Sequence, residues 1–272
     1  FNYRDYPSLI RGGHNFNIIS ISDRHIRSHE SRMDGIIALD GETRRLHEDE
    51  LKKGGFVIDY SEFPGLGINL NLALCGALMR RLGIEKENLL DSVTDGLKDK
   101  DSLKEAIVAA KQGYESQETR YHLRKLKRKP ILMSGSKAAA LGAINSKIDI
   151  YIAYPMTPAT NLLNELAERQ VEGGYVVYQP EGEIAAINMA LGASFAGAKA
   201  IVGTSGGGFD LMGEGLIMQG ASQLPLVVYL ASRVGPGTGI PTYTMQCDMN
   251  IALKSGHGEF PRIVIAPGDP VE

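Results

Sequence analysis

The sequence predicts an α/β protein made of two doubly wound domains with mostly parallel sheets. Short apolar runs of strand length alternate along the chain with longer segments that have helical periodicity. Crossovers of that length join parallel strands and place helices on both faces of a sheet. A weakly periodic basic segment at residues 120–130 separates two such regions of the 272-residue chain. We therefore expect one domain at 1–119, a linker at 120–130 and a second domain at 131–272.

The first predicted domain contains three strands followed by two helices. The strands are the apolar runs Phe16–Ser22, Gly35–Asp40 and Gly55–Tyr60. Gly67–Leu82 is predicted as a helix because leucines recur at every fourth position from Leu70 and basic residues occupy its last turn. A second helix is predicted over Leu103–Gln117. The chain starts at Phe1 and not at a methionine, so we expect this domain to be truncated at its N-terminus.

The second predicted domain begins with a helix at Lys137–Asn145 and then repeats a strand and a helix four times. Its strands are Ile148–Tyr154, Tyr175–Gln179, Ala200–Thr204 and Leu224–Ala231, with a fifth at Arg262–Ala266. The helices between them are Ala159–Gln170, Glu183–Gly197, Phe209–Gln223 and Asp248–Gly256. Because the chain stops soon after the fifth strand, we expect this domain to be truncated at its C-terminus.

Composition and charge argue against several classes of partner. A formal net charge of -3 gives the chain no overall attraction to nucleic acid or to an anionic membrane surface. Six of the first ten residues of 120–130 are Lys or Arg, but such a run is more often a solvated linker than a nucleic-acid-binding arm. The chain has no run of about 20 apolar residues that could span a membrane. We therefore expect small molecules and proteins as partners, and neither nucleic acid nor a membrane.

The two cysteines limit the metal and redox chemistry of the chain. Cys75 and Cys247 are too few and too far apart in the sequence for a disulfide framework, a zinc site or a complete iron–sulfur ligand set. A chain without disulfides is typical of a reducing compartment. We expect a cytoplasmic location and no metal site built by this chain alone.

Each of the first four strands of the second domain ends on polar residues. These strand ends are Tyr154–Thr157, Gln179–Glu183, Thr204–Gly208 and Ser232–Arg233. Since the carboxyl ends of parallel strands share one edge of a sheet, a hydroxyl, a carboxylate, a glycine loop and a guanidinium should converge there. The sequence therefore predicts a ligand-binding site at this edge.

Thr157 and the two glutamates also have ordinary structural interpretations. Thr157 can be the N-cap of the following helix, with Pro158 at the first helical position. Glu181 and Glu183 precede a helix rich in small apolar residues, where the helix dipole stabilises a carboxylate. In the same place an acid can share a proton with a ligand. The residues by themselves favour neither interpretation of the glutamates.

The glycine loop and Arg233 likewise each have both a functional and a structural interpretation. Gly203–Phe209 runs from a strand into a helix, so its backbone N–H groups can cradle a phosphate, or its glycines can simply permit a turn. The loop lacks the lysine of a nucleotide-binding P-loop and the glycine spacing of a dinucleotide fold. Arg233 at a sheet edge suits the capture of a carboxylate or phosphate, although a surface ion pair explains it as well.

Five motifs of the second domain, in their order, resemble the α-subunit pyrimidine-binding domain of the 2-oxoacid:ferredoxin oxidoreductases, the family of the pyruvate and 2-oxoglutarate enzymes. They are YPMTPAT, QPEGEIAAINMALGASFAG, GTSGGGFDLM, ASRVGPGTGIPT and GHGEFPRIVIAPGDP. The resemblance covers about residues 131–272. Two stretches of the first domain, YPSLIRGG at 6–13 and IALD at 37–40, are similar to the family's γ domain. The resemblance implies a γ domain fused to a pyrimidine domain.

The resemblance implies thiamine diphosphate as the cofactor and gives individual residues their roles. Glu183 aligns best with the glutamate that engages the ring nitrogen of the cofactor's aminopyrimidine, and Glu181 is the second choice. Thr157 and Arg233 would hold the 2-oxo and carboxylate groups of the substrate. The cofactor-binding residues would also include Tyr154, Pro155, Glu181, Thr204 and Ser205.

The resemblance also implies that the chain is active only with a β subunit. The family reaction is the coenzyme A-dependent oxidative decarboxylation of a 2-oxoacid, with electrons passed through an iron–sulfur cluster to ferredoxin. Gly268–Pro270 lacks the second glycine of the family's Gly-Asp-Gly motif, and the chain has no cysteine set for a cluster. In the family both sites lie on the β subunit, so the resemblance implies Mg²⁺ and [4Fe-4S] on the β subunit of a hetero-oligomer. Two alternatives stay open: a non-oxidative thiamine diphosphate enzyme, and a non-catalytic scaffold that binds a phosphate-bearing ligand.

Overall fold

The structure, a computed structural model, describes residues 2–5, 14–22, 26, 28–97, 101–123, 133–233, 235 and 246–272. The chain divides into two compact units, Phe1–Lys129 and Pro130–Glu272. Most of the predicted basic linker, residues 124–130, lies outside the described residues, and so does the motif at 6–13.

The first unit combines an antiparallel and a parallel pair of strands with helices. Strands β1 (Asn2–Asp5) and β2 (Phe16–Ile19) pair antiparallel, whereas β3 (Met33–Ala38) and β4 (Leu51–Asp59) pair parallel. The described helices are α1 (Gly41–His47), α2 (Leu70–Arg81), α3 (Lys86–Leu97) and α4 (Leu103–Glu115). The three predicted strands correspond to β2, β3 and β4. Strand β1 and helices α1 and α3 were not predicted.

Helix α2 is central to the first unit because two of its faces are buried. Its leucine stripe, centred on the buried Leu74, shares a core with Phe56 and Ile58 of β4. Another face meets α4 so closely that a Cβ on Gly113 would lie 1.8 Å from the backbone oxygen of Ala73. The leucine periodicity that predicts this helix therefore corresponds to the face that packs on the sheet. The absence of a side chain at Gly113 permits the close contact with α4.

The second unit contains a parallel sheet with the strand order β6-β5-β7-β8. The strands are β5 (Ile150–Ala153), β6 (Val176–Tyr178), β7 (Ala200–Ser205) and β8 (Val227–Ala231). The described helices are α5 (Gly135–Asn145), α6 (Thr160–Ala167), α7 (Gln170–Gly173), α8 (Glu183–Phe195), α9 (Gly206–Leu211), α10 (Gly213–Ser222) and α11 (Asp248–Lys254). Four predicted strands and the helices between them are thus present.

Helices cover both faces of this sheet. Ile152 of β5 and Val202 of β7 face a core that they share with α8, α9 and α10. Tyr151 and Ala153 of β5 face the opposite core, which contains residues of α5 and α6. Successive side chains of a strand point to opposite faces, so β5 contributes to both cores in turn. The predicted α/β class is confirmed, and in this unit the sheet is parallel and doubly wound.

The predicted fifth strand, Arg262–Ala266, is wrong for this structure, because these residues pair with no described strand. Arg262 instead donates hydrogen bonds to the carbonyl oxygens of Ala252 and Ser255, at 3.0 and 2.8 Å. Its guanidinium also lies over the ring of Phe260, 4.2 Å from the ring centroid. These contacts hold the segment at the end of α11. Alternating apolar residues predict a strand but do not identify the edge that would pair with it.

Two predicted helices are shorter or interrupted. The single helix predicted over Phe209–Gln223 is two helices, α9 and α10, separated at Met212. The helix predicted over Ala159–Gln170 ends at Ala167 and is followed by the short α7. Helix α9 instead begins three residues earlier, at Gly206, so the glycines predicted as a loop form a helical first turn.

Tyr151 has a buried hydroxyl that lacks a hydrogen-bond partner among the described residues. The side chain is inaccessible to solvent, and a Cβ on Gly203 of β7 would collide with its hydroxyl oxygen. Burial, with a smaller contribution from Tyr229, raises the pKa of the Tyr151 phenol. A buried polar atom without a partner destabilises the folded state.

Tyr151→Phe should therefore raise the free energy of unfolding by about 1 kcal/mol, because it removes an unsatisfied hydroxyl without leaving a large cavity. Tyr175→Phe is the matched control, since the Tyr175 hydroxyl donates to the Leu166 carbonyl at 2.8 Å. That change should lower the free energy of unfolding by about the same amount. Denaturant titration measures both, and equal destabilisation by the two changes would contradict the prediction.

Candidate functional site

The carboxyl ends of β5 and β7 lie where the strand order of the second unit reverses. From β5 the chain passes to β6 on one side and then to β7 on the other side of β5. In open α/β sheets, ligands bind outside the carboxyl ends of the strands at such a point. The segments that follow β5, β6 and β7 therefore border the expected crevice.

A hydrogen bond joins the segments after β5 and β7. The hydroxyl of Ser205 donates to the backbone carbonyl of Thr157 at 3.1 Å. The predicted N-cap role of Thr157 is wrong, because α6 starts at Thr160 and its N-cap is Ala159. Pro158 accordingly precedes the helix and is not its first residue. Thr157 is exposed, and its side-chain hydroxyl is not used to cap α6.

Glu183 is the first residue of α8 and its carboxylate is buried. The residue is 5% exposed, and its Oε1 has no hydrogen-bond partner among the described residues. The N-cap of α8 is Gly182, which has no side chain to cap with. An unsatisfied buried carboxylate oxygen is costly and rare in folded proteins, so it calls for an explanation beyond helix stability. A ligand with a donor group would supply one.

Gly208 explains how the Glu183 side chain fits at this position. A Cβ on Gly208 would lie 2.7 Å from Oε1 of Glu183 and 2.2 Å from Oγ1 of Thr204. Both distances are too short for a carbon atom, so only glycine leaves room for these two side chains. Thr204 is inaccessible to solvent, like its neighbour Ser205. Gly208 thus permits the close approach of a glutamate.

An open depression of about 400 Å³ lies beside Glu183. It is lined by Glu181, Gly182, Glu183, Ile184, Ala185, Asn188 and Leu211. Ile184 and Leu211 are 58% and 52% exposed, so apolar side chains lie next to the carboxylate. A surface of this kind suits a ligand with an apolar face and a polar edge, and its volume falls within the range of small-molecule sites.

The segment after β8 contains a second buried carboxylate. Oδ2 of Asp248, the first residue of α11, accepts hydrogen bonds from the Arg233 backbone N–H and the Ser232 hydroxyl, both at 3.1 Å. The same oxygen accepts a bond from Nε2 of Gln246 at 2.5 Å. The sequence does not predict Asp248 as a site residue, because an acidic residue in a first helical turn is ordinarily explained by the dipole. Its polar neighbours come together only in the fold.

The other predicted site residues lie at the same edge of the sheet. Tyr154 and Pro155 directly follow β5, and Tyr154 is 37% exposed. Glu181 lines the depression but is exposed, unlike Glu183. Arg233 is half-buried two residues after the end of β8. The contacts described above connect Thr157 with Ser205, and Glu183 with Thr204 through Gly208, whereas Arg233 is tied to Asp248.

Neither a membrane span nor a metal-binding cluster is found among the described residues. No helix in the part of the chain that the structure describes is long and apolar enough to cross a membrane. Within the same residues, no group of three or more His, Cys, Asp or Glu side chains is arranged to hold a metal ion.

Two family models match the chain. The one described as "Pyruvate flavodoxin/ferredoxin oxidoreductase, thiamine diP-bdg" matches residues 141–272. The one described as "Pyruvate ferredoxin/flavodoxin oxidoreductase" matches residues 1–68. All residues of the candidate site lie within the first match.

Two curated relatives are named as subunits of 2-oxoacid enzymes. The chain is 28% identical to the 2-oxoacid:ferredoxin oxidoreductase subunit alpha of Sulfolobus sp over 357 aligned positions, which cover 100% of the chain and 55% of the relative. It is 42% identical to the 2-oxoglutarate synthase subunit KorA of Archaeoglobus fulgidus over 136 positions, 50% of the chain and 39% of the relative. The chain spans about half the length, or less, of these relatives.

A solved structure resembles the whole chain. It is described as 2-oxoglutarate:ferredoxin oxidoreductase from Magnetococcus marinus with 2-oxoglutarate, coenzyme A and succinyl-CoA bound. The TM-score is 0.80 at 28% sequence identity, and the match covers 96% of this chain and 51% of the other. The likeness therefore extends through both units.

Gly208→Ala should lower the free energy of unfolding by about 1–3 kcal/mol, because the new methyl group would collide with Glu183 and Thr204. Gly192→Ala is the matched control. Gly192 lies in α8, and beyond its chain neighbours and the adjacent helix backbone no atom of the described residues lies within 4 Å of the position of its new methyl group. Alanine there should therefore stabilise the helix by up to about 1 kcal/mol.

A double-mutant cycle sharpens this prediction. Thr204→Ala removes the nearer of the two colliding oxygens, so Gly208→Ala should cost less in that background. Strictly additive changes in unfolding free energy, or a Gly208→Ala protein as stable as the unmodified one, would contradict the close contact.

Proposed function

We propose that this chain, which belongs to the 2-oxoacid:ferredoxin oxidoreductase family, is the γ–α portion of an α subunit and contains its thiamine diphosphate-binding domain. The assembled enzyme would carry out the coenzyme A-dependent oxidative decarboxylation of a 2-oxoacid and pass the electrons to ferredoxin. The observation that carries this proposal is the buried oxygen of Glu183, which has no hydrogen-bond donor among the described residues.

The surroundings of Glu183 suit the aminopyrimidine ring of thiamine diphosphate. When bound, thiamine diphosphate would supply a thiazolium carbon that can attack a 2-oxo group once its proton is removed. Glu183 would share a proton with the aminopyrimidine ring nitrogen, through the oxygen that the protein leaves without a donor. Ile184 and Leu211 would flank the ring on its apolar side. A hydrogen bond in such a place of low polarity is stronger than the same bond in water.

Of the two glutamates predicted for this role, Glu183 is the better candidate. Glu181 is exposed, so water satisfies its carboxylate and a ligand gains little by replacing that water. Glu183 is held against Gly208 and Thr204 in one position before any ligand arrives. Pre-organisation of this kind lowers the cost of forming a specific hydrogen bond.

Thr157 and Arg233 are proposed to bind the substrate, and Tyr154, Pro155, Thr204 and Ser205 to border the cofactor. The Ser205 hydroxyl fixes the backbone at Thr157, while the Thr157 side chain is exposed and free of a capping role. Its hydroxyl can therefore donate to a 2-oxo group. The planar guanidinium of Arg233 suits a carboxylate, which it can bind through two parallel hydrogen bonds.

The complete site is proposed to be shared with a β subunit. That subunit would hold Mg²⁺, the diphosphate and a [4Fe-4S] cluster, and ferredoxin would accept the electrons. This part of the proposal is supported by the relatives, which are named as α subunits, and by the match of residues 1–68 to a second family model. We place a γ-type domain at 1–119, the cofactor domain at 131–272, and the hetero-oligomer in the cytoplasm.

2-Oxoglutarate is the first substrate to test. The solved structure similar to this chain contains 2-oxoglutarate, and the Archaeoglobus relative is named a 2-oxoglutarate synthase subunit. Reduction of a dye in the presence of coenzyme A, compared across 2-oxoglutarate, pyruvate and branched-chain 2-oxoacids, would identify the preferred acid. Turnover that needs no electron acceptor would contradict the oxidative reaction.

Glu183→Gln in the assembled complex should reduce kcat by about 100-fold or more, because glutamine cannot give or accept the proton that the aminopyrimidine requires. The affinity for thiamine diphosphate, measured by calorimetry, should also fall. Glu181→Gln is the matched control, since it changes the exposed carboxylate of the same segment and should alter kcat by less than about threefold. Undiminished turnover of the Glu183→Gln enzyme would refute the assignment.

A further inference from the structure

One carboxylate oxygen of Asp248 accepts hydrogen bonds from three donors. Its Oδ2 accepts bonds from the Arg233 backbone N–H, the Ser232 hydroxyl and the Gln246 amide. The Gln246 amide also donates to the Ser232 hydroxyl, so these side chains form a closed ring of contacts. Asp248 is only 9% exposed. Several charge-assisted hydrogen bonds hold a buried carboxylate in a single position, and they also fix the positions of the groups that donate them.

The dipole of α11 does not account for this arrangement. Helix α11 has seven residues, and its N-cap Cys247 makes no capping hydrogen bond. The hydrogen bonds of the Asp248 carboxylate go to groups outside its own helix, at the end of β8 and at Gln246. The side chain therefore fixes a loop, and helix stability is not its main role.

Asp248 lies next to the candidate site. Its other oxygen, Oδ1, would be 3.9 Å from a Cβ on Gly206, the first residue of α9. Ala231 at the end of β8 pairs in register with Ser205, whose hydroxyl holds the backbone of Thr157. A hydrogen bond thus connects the segment after β5 to β7, and strand pairing connects β7 to β8. Asp248 connects the segment after β8 to the start of α11.

We infer that Asp248 is a positioning residue that holds Arg233 for the carboxylate group of a 2-oxoacid. The inference rests on the proposed substrate-binding role of Arg233. By accepting the Arg233 N–H and the Ser232 hydroxyl, Asp248 fixes the backbone from which the guanidinium extends. A guanidinium with a fixed origin loses less conformational freedom when it binds the substrate. Asp248 itself does not contact the substrate, so its loss should affect KM more than kcat.

The test compares Asp248→Ala, Arg233→Ala and the double variant in the assembled α–β complex, with 2-oxoglutarate as substrate. Each single change should raise KM by about tenfold while kcat changes by less than about threefold. The double variant should have the KM of Arg233→Ala alone, because Asp248 acts through Arg233. Affinity for thiamine diphosphate should be unchanged in all three. Glu214→Ala, which removes an exposed acidic residue from the first turn of α10, is the matched control and should leave KM unchanged.

Failure of the inference and failure of the proposed function give different results. If Arg233→Ala raises KM but Asp248→Ala does not, or if their effects multiply in the double variant, the inference is overturned and the proposed function stands. If Arg233→Ala leaves KM unchanged, the substrate-binding role of Arg233 fails and the inference fails with it. A complex that turns over no 2-oxoacid overturns the proposed function.

Two further variants separate the hydrogen bonds from the charge and from folding. Asp248→Asn keeps an acceptor oxygen, so KM should recover to within about threefold of the unmodified value. A KM as high as that of Asp248→Ala would overturn the inference. Ser232→Ala removes one donor and leaves the carboxylate, which makes it suitable if Asp248→Ala does not assemble. It should raise KM by about threefold, and an unchanged KM would overturn the inference.

Discussion

The contact between Glu183 and Gly208 is the constraint on which the candidate site depends. Glu183 begins α8 and Gly208 lies in α9, and both helices pack on the same face of the sheet. Any side chain at 208 would meet the carboxylate of Glu183 and the hydroxyl of Thr204 within 3 Å. The position of the proposed catalytic carboxylate therefore depends on the absence of a side chain at 208.

The remaining polar groups are placed by hydrogen bonds between strand ends. A parallel sheet brings the ends of β5, β7 and β8 to one edge, but it does not fix the irregular segments that follow them. Ser205 fixes the segment at Thr157, and Asp248 fixes the segment at Arg233. Both bonds go to the backbone, which leaves the side chains of Thr157 and Arg233 to be used for a ligand. The structural roles and the proposed ligand-binding roles therefore belong to neighbouring residues.

The sequence predicts the features that follow from periodicity and chain connectivity. The leucine repeat from Leu70 predicts α2, and the alternation of strands and helices predicts the order of the second unit. Features that depend on distant residues are not predictable in this way. The segment at Arg262 is held by carbonyl groups of α11, Thr157 is excluded from the N-cap by the turn before α6, and the donors to Asp248 converge only in the fold. The resemblance alone favours Glu183 over Glu181, and the burial of Glu183, which its neighbours in the sequence do not reveal, supports that preference.

The unsatisfied oxygen of Glu183 would couple binding of the proposed cofactor to the stability of the second unit. Burying a carboxylate oxygen without a donor costs about 1–3 kcal/mol, and more where the group is charged. The apolar cores on both faces of the sheet and the contact with Gly208 keep the side chain buried despite this cost. A ligand that donates to this oxygen removes the cost, so its binding energy includes the relief. A ligand of the same shape without a donor gains no such relief. The proposed site would therefore discriminate by chemistry as well as by shape, through a carboxylate oxygen that is already buried without a ligand.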